Sequence, residues 1–295
     1  MPQNSLTEFA DGALPSTLPT PETPHVPDPD NPPWSIFGAV GVWLASVFLL
    51  ALLPALFVIA YAQQRGIGVA QLAEFSITDK VAIFLQILSN VPAHILTMML
   101  AWMLVTRFGK RPFFSALGWQ WSRRFGFWTS AGLAVGLLGI GILVIKLAGE
   151  QETPLDKVIS SSRAAALATA FIATATAPLV EEVIYRGVLY SALQRAIGAV
   201  GAVFIVLSLF ALVHVPQYWP NFGVIGTICL LSAVLTLIRA WTGQLLPCVI
   251  VHLIFNGLQS IGIVVYPYLQ RAEPTATPET TVTGWLVALI SHFVN

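Results

Sequence analysis

Residues 165–190 read AALATAFIATATAPLVEEVIYRGVLY, and the fold turns on how this stretch is understood. An apolar run of this length is enough to cross a bilayer as one helix, which takes roughly 20 residues. It nevertheless carries Glu181, Glu182 and Arg186 within six residues. Each charge at the centre of a membrane helix costs ~2.5–3.5 kcal/mol on insertion scales, so structure alone rarely demands three of them. The rest of the chain avoids charge. Only 9% of its 295 residues are charged while 56% are hydrophobic, against about 25% charged in soluble domains. A polytopic membrane protein is expected, all-α, and its few internal charges carry the functional argument.

Working outward, apolar windows give candidate spans near 36–62, 81–105, 127–148, 165–190, 199–216, 222–239 and 245–266, with a short one at 284–294, about seven to eight in all. Pro54 and Pro92 are expected to kink the first two. Trp119, Trp121, Arg123 and Arg124 precede the third span, in a loop suited to the membrane interface. No internal repeat suggests a transporter built from two halves. Residues 1–34 differ: nine prolines and five acids, with no Lys or Arg. That composition cannot bury apolar surface and predicts a disordered, acidic tail before a helical domain at 35–295. It has no basic start followed by an apolar stretch, so it does not read as a signal peptide.

Lys+Arg and Asp+Glu both total 14, leaving no net charge and no basic surplus for nucleic acid. Cys229 and Cys248 both fall in apolar runs, which excludes a disulfide scaffold. Arg107, Lys110, Arg111, Arg123, Arg124, Arg195 and Arg239 collect on the side of the N-terminus. Arg65, Lys80, Lys157, Arg163 and Arg271 collect on the other. The excess predicts a cytoplasmic N-terminus, and the expected location is a plasma or inner membrane.

Of the 14 acids, five lie in the tail and seven in loops; Glu181 and Glu182 alone fall within a span. Glu182 and Arg186 stand at i, i+4 with the acid first, the favourable order for a helical ion pair. Glu181 points about 100° away and is left without that partner. A desolvated carboxylate with no cation beside it suits a general base. A purely structural role for both acids is disfavoured, because one arginine cannot neutralise two. His25 and His292 lie near the chain ends and read as inert. His94 follows Gln86 and Asn90 at four-residue intervals, an interior hydrogen-bonding seam or a cavity lining. His214 shares a helix face with Phe210, and His252 with Asn256. If the chain turns near Gly198, Glu181 lies 17 residues before the turn and His214 lies 16 after it. At ~1.5 Å per residue an antiparallel pair of helices brings them to one height.

The residues spell Glu181-Glu182-x-x-x-Arg186, Phe210-x-x-x-His214 and His252-x-x-x-Asn256, in order and on separate apolar segments. This resembles the CPBP intramembrane proteases, the CAAX-protease and bacteriocin-processing family that includes type II CAAX prenyl endopeptidases. The resemblance covers about residues 165–262. It implies a helical bundle with a water-accessible cavity, Glu181 as the base that activates water, and His214 assisting. It further implies His252 and Asn256 as stabilisers of the oxyanion, and Glu182 with Arg186 as structural support. The expected partners are the bilayer and a peptide or protein substrate of the prenylated or membrane-associated kind. No cofactor is required by this chemistry.

Three rival readings remain open at this point. Glu181, His214 and His252 would also make a His₂Glu zinc set with an open fourth position. Cys248 and His252, at i, i+4, would make a thiol protease, although no cation stands near the cysteine to activate it. A transporter, or an immunity-type protein that binds a peptide without cutting it, would use intramembrane charge equally well.

Overall fold

A computed structural model describes residues 28–272, with side chains through Val265. Most of the acidic tail, His25, His292 and the candidate span at 284–294 lie outside the described residues. Within them all regular elements are helical, and the single β-bridge, Ser122–Phe125, is isolated. Six helical runs are long and apolar enough to cross a membrane. They are α1 (Ile36–Gln64), α2 (Lys80–Thr106), α3 (Phe127–Ala148), α4 (Arg163–Tyr218), α5 (Phe222–Thr242) and α6 (Leu246–Ala272). Large apolar side chains such as Phe48, Leu143, Phe204 and Leu212 face outward. This is an integral, multi-pass membrane protein, because apolar surface on that scale requires lipid around it.

Short polar side chains start most of these helices. Ser35 caps α1, Asp79 caps α2 and Asn221 caps α5, each accepting a backbone N–H from the first turn. The two prolines behave differently. Pro54 sits inside an unbroken α1, whereas α2 breaks at Ser89 between Lys80–Leu88 and Asn90–Thr106. Pro92 has no N–H to return to the Leu88 carbonyl, so the ladder is interrupted there.

The fourth and fifth expected spans form one run, α4, which reverses at Gly198, φ +82° and ψ 164°. That conformation is essentially glycine-only. A straight helix would hold Glu181 and His214 about 50 Å apart, yet they meet, so the arms before and after Gly198 fold back on each other. The second arm packs against α5, while α3 packs against α5 and α6. Helix α6 crosses the first arm of α4, and α1 covers α2. Helices α3 and α5 approach closely because a Cβ on Gly223 would lie 2.7 Å from Ile145 Cα.

Residues 28–34 correct the expected boundary of the tail. Trp34 is buried in one apolar cluster with Val183, Ile184 and Val188 of α4 and donates to the Val188 carbonyl. Composition missed this because prolines leave carbonyls with no helical donor, and arginines of the bundle supply the donors instead.

Candidate active site

The first arm of α4 is not uniformly α-helical. It runs Arg163–Phe171 as α-helix, Ile172–Thr176 as π-helix, Ala177–Glu181 as α-helix and Glu182–Leu189 as π-helix. Each π segment widens the turn and shifts the side chains that follow it around the axis, a distortion frequent at functional sites. Glu181 stands at the junction where the second π segment begins.

The adjacent glutamates meet opposite surroundings. The Glu182 side chain is wholly buried, while that of Glu181 remains 23% exposed. Glu182 Oε1 accepts from Arg186 Nη1 at 2.9 Å and lies 2.8 Å from His252 Nδ1. Arg186 is itself buried and held on every side. Its Nε donates to Thr236 Oγ1 at 3.2 Å, its Nη2 to Ser232 Oγ at 2.9 Å, and its guanidinium carbon lies 4.5 Å from the Phe210 ring centre. A buried guanidinium of this kind is tolerated because its donors are filled and an aromatic face covers it.

Glu181 faces two imidazoles. Its Oε1 lies 4.0 Å from His214 Nε2 and its Oε2 lies 3.8 Å from His252 Nε2. His214 Nδ1 lies 2.7 Å from the Phe210 carbonyl, which can only accept, so that nitrogen carries the proton. His252 Nδ1 likewise donates to the Glu182 carboxylate. Both rings therefore turn Nε2 toward Glu181, with the tautomer set by the bond at the opposite nitrogen. The gaps are too long for direct hydrogen bonds.

Asn256 is placed differently from the expectation that both its amide and a His252 N–H are free to donate to one oxygen. Its Nδ2 donates to the Ala173 carbonyl at 3.0 Å, in the first π segment, and one amide hydrogen remains. His252 has its Nδ1–H committed to Glu182, so its Nε2 donates only when the ring is protonated. Cys248 is fully buried with Sγ toward the Leu235 carbonyl at 3.3 Å, the position of a packing residue. The polar seam on α2 serves separate local bonds: Gln86 to Ser76, Asn90 to Gln86 and Ile87, and His94 Nδ1 to Thr176 Oγ1 at 2.9 Å. His94 and Thr176 border an apolar groove of about 630 Å³, whose other walls include Met98, Trp102, Phe114 and Leu179.

Several partners escaped the sequence reading. Ser232 and Thr236 are spaced four apart on an apolar helix, a signal visible in retrospect. The part played by Phe210, which carries the Arg186 guanidinium on its ring and fixes His214 through its carbonyl, needed the fold.

With this geometry in place, comparison with known families is decisive for one segment. Residues 163–258 match the family model described as type II CAAX prenyl endopeptidase Rce1-like, about a third of the chain. This segment is similar to that family. The match spans the two arms of α4, α5 and α6 through Leu258, and so includes all seven residues of the three motifs. Comparisons with curated proteins and with solved structures gave no match. The match suggests a CAAX-protease-like intramembrane endopeptidase, a hydrolase.

Among the described residues no group of three His, Cys, Asp or Glu side chains is close enough to hold a metal ion. Glu181, His214 and His252 do have zinc-type donor chemistry. Their N···O separations of 3.8 and 4.0 Å exceed the ~3.4 Å that two ligands about 2.1 Å from a tetrahedral zinc would have.

Proposed function

We propose that this protein is an intramembrane endopeptidase in which Glu181 deprotonates a water that attacks a peptide carbonyl. The observation that carries the reading is the division of labour between adjacent acids. Arg186 and His252 occupy Glu182, whereas Glu181 is partly exposed between two Nε2 atoms. As the water oxygen bonds to the carbonyl carbon, its proton passes to Glu181. The carbonyl oxygen becomes an oxyanion, which the remaining Asn256 N–H, and His252 once protonated, are suited to receive. Collapse breaks the C–N bond, and the proton on Glu181 passes to the leaving amine with His214 assisting. Glu182, itself paired with Arg186, holds the His252 ring in place through Nδ1.

The apolar groove beside Leu179 and Val180 supports a substrate with a hydrophobic chain, a prenylated or membrane-associated peptide. The cation excess supports a cytoplasmic N-terminus in a plasma or inner membrane. The test is cleavage of a farnesylated C-terminal peptide and its unprenylated counterpart by purified full-length protein in detergent, with and without chelator. The expected result is cleavage that survives the chelator and is lost in Glu181→Gln. Loss on chelation with recovery on adding zinc would transfer the same three residues to the metal reading. Binding that depends on Glu181, with no cleavage by the wild type, would favour a transporter or immunity-type protein.

A further inference from the structure

The N-terminal segment 28–34 reaches the active-site helix at Val188, and its contacts there are specific. Three arginines from three different parts of the bundle bind its backbone. Arg107 Nη2 donates to the Pro33 carbonyl at 3.1 Å, Arg195 Nη2 to the Trp34 carbonyl at 2.9 Å, and Arg195 Nη1 to the Pro32 carbonyl. Arg239, fully buried on α5, donates to the Pro29 carbonyl at 2.9 Å and pairs with Asp30 Oδ1 at 2.6 Å. Gly118, at φ +71°, accommodates this arrangement, because a Cβ there would meet the Gly243 carbonyl at 2.7 Å and Pro29 at 3.1 Å.

Two paths then lead from the strap into the second π segment. Trp34 Nε1 donates directly to the Val188 carbonyl at 3.1 Å. Asp30 acts through Arg239, whose Nη2 lies 3.4 Å from Ser191 Oγ, and Ser191 in turn donates to the Gly187 carbonyl at 2.6 Å. Gly187 and Val188 are successive residues, directly after Arg186 and near the end of the π segment Glu182–Leu189. The position of a π turn matters for chemistry. Each one inserts about one extra residue, so moving it by one position rotates the flanking side chains by about 100° relative to each other. Such a slip would carry the Glu182–Arg186 pair away from His252, and Glu181 away from both Nε2 atoms.

We infer that residues 28–34 form a positioning strap in which Trp34 and Asp30 fix the register of the π-helical segment Glu182–Leu189, and through it the orientation of Glu181 and Glu182. The inference rests on the endopeptidase reading for its catalytic consequence, though not for its structural one. Asp30 and Trp34 touch no reacting group, so they position and do not catalyse.

The test is made on the full-length chain in detergent with Trp34→Phe, which keeps a ring in the buried slot and removes only the N–H, and with Asp30→Asn and Asp30→Glu. Hydrogen exchange of the amides in residues 187–193 is measured together with kcat and KM for the farnesylated peptide and the thermal midpoint. Exchange in Trp34→Phe should rise by about fivefold, within the range that losing one hydrogen bond of ordinary net strength supplies. Turnover should fall by at least as much, with KM within about twofold of wild type and the thermal midpoint little changed. Asp30→Asn should show the same split, and Asp30→Glu should restore it. Unchanged exchange and kcat in both Trp34→Phe and Asp30→Asn overturn the strap, and so does a parallel collapse of kcat, KM and thermal midpoint, which marks a merely structural contact. A wild type that cleaves neither peptide defeats the endopeptidase reading alone, since the exchange measurement still judges the strap.

Discussion

Glu181 and Glu182 are neighbours with the same side chain, and the fold assigns them different work. Glu182 lies in a closed polar cluster with Arg186 and His252, and Glu181 opens toward two imidazole Nε2 atoms. Glu181→Gln should therefore lower turnover by ~10²–10⁴-fold, the worth of a positioned general base, while the thermal midpoint stays at the wild-type value. Glu182→Ala should behave oppositely, leaving Arg186 buried without its carboxylate at a cost of ~3–5 kcal/mol, read from unfolding in detergent. Replacing Cys229 and Cys248 together by Ala should leave turnover intact, because the buried Cys248 thiol points at a backbone carbonyl and not at the site. The pairing of Glu182 with Arg186 and the separateness of Glu181 were legible in the sequence, since helical spacing determines both. That His252 joins Glu182, or that Asn256 spends one N–H on Ala173, was not legible, because those contacts cross between helices distant in the chain.

At the scale of elements, the site depends on the reversal at Gly198 and on the two π segments of α4. Gly198→Val forces a branched residue into a glycine-only region at ~1–3 kcal/mol. It also shifts the second arm, which carries Phe210 and His214. Turnover should fall more than stability accounts for, and a comparison of kcat with the unfolding midpoint would reveal this. The turn near Gly198 and the equal heights of Glu181 and His214 follow from residue counts, and the structure brings these two side chains to 4.0 Å. The π segments have no such signature, because the apolar periodicity of an α-helix and of a slightly wider one are alike over a few residues. The missing N–H of Pro92 was anticipated as a kink and became a break at Ser89.

At the scale of the whole molecule, the apolar exterior, the spans and the uneven cations describe a protein embedded in lipid. A reporter fused to the N-terminus should be active only as a cytoplasmic one, given the seven basic residues on that side against five on the other. A periplasmic or external signal would reverse the orientation and, with it, the side from which substrate reaches Glu181. The strap of residues 28–34 belongs to this scale as well. It ties this segment to the C-terminal end of α2, the first arm of α4 and α5 through three arginines and Trp34.

Composition and spacing by themselves determined that the chain spans a membrane as helices, where most of its spans lie, and which few polar side chains it buries. The bilayer tolerates no unpaired backbone and few charges, so those features must be written locally. Tertiary structure alone decided which polar groups face each other, which ring nitrogen each histidine presents, and that a proline-rich segment is pinned by arginines of the bundle. Those outcomes depend on contacts between residues up to 210 positions apart, and no local pattern encodes them.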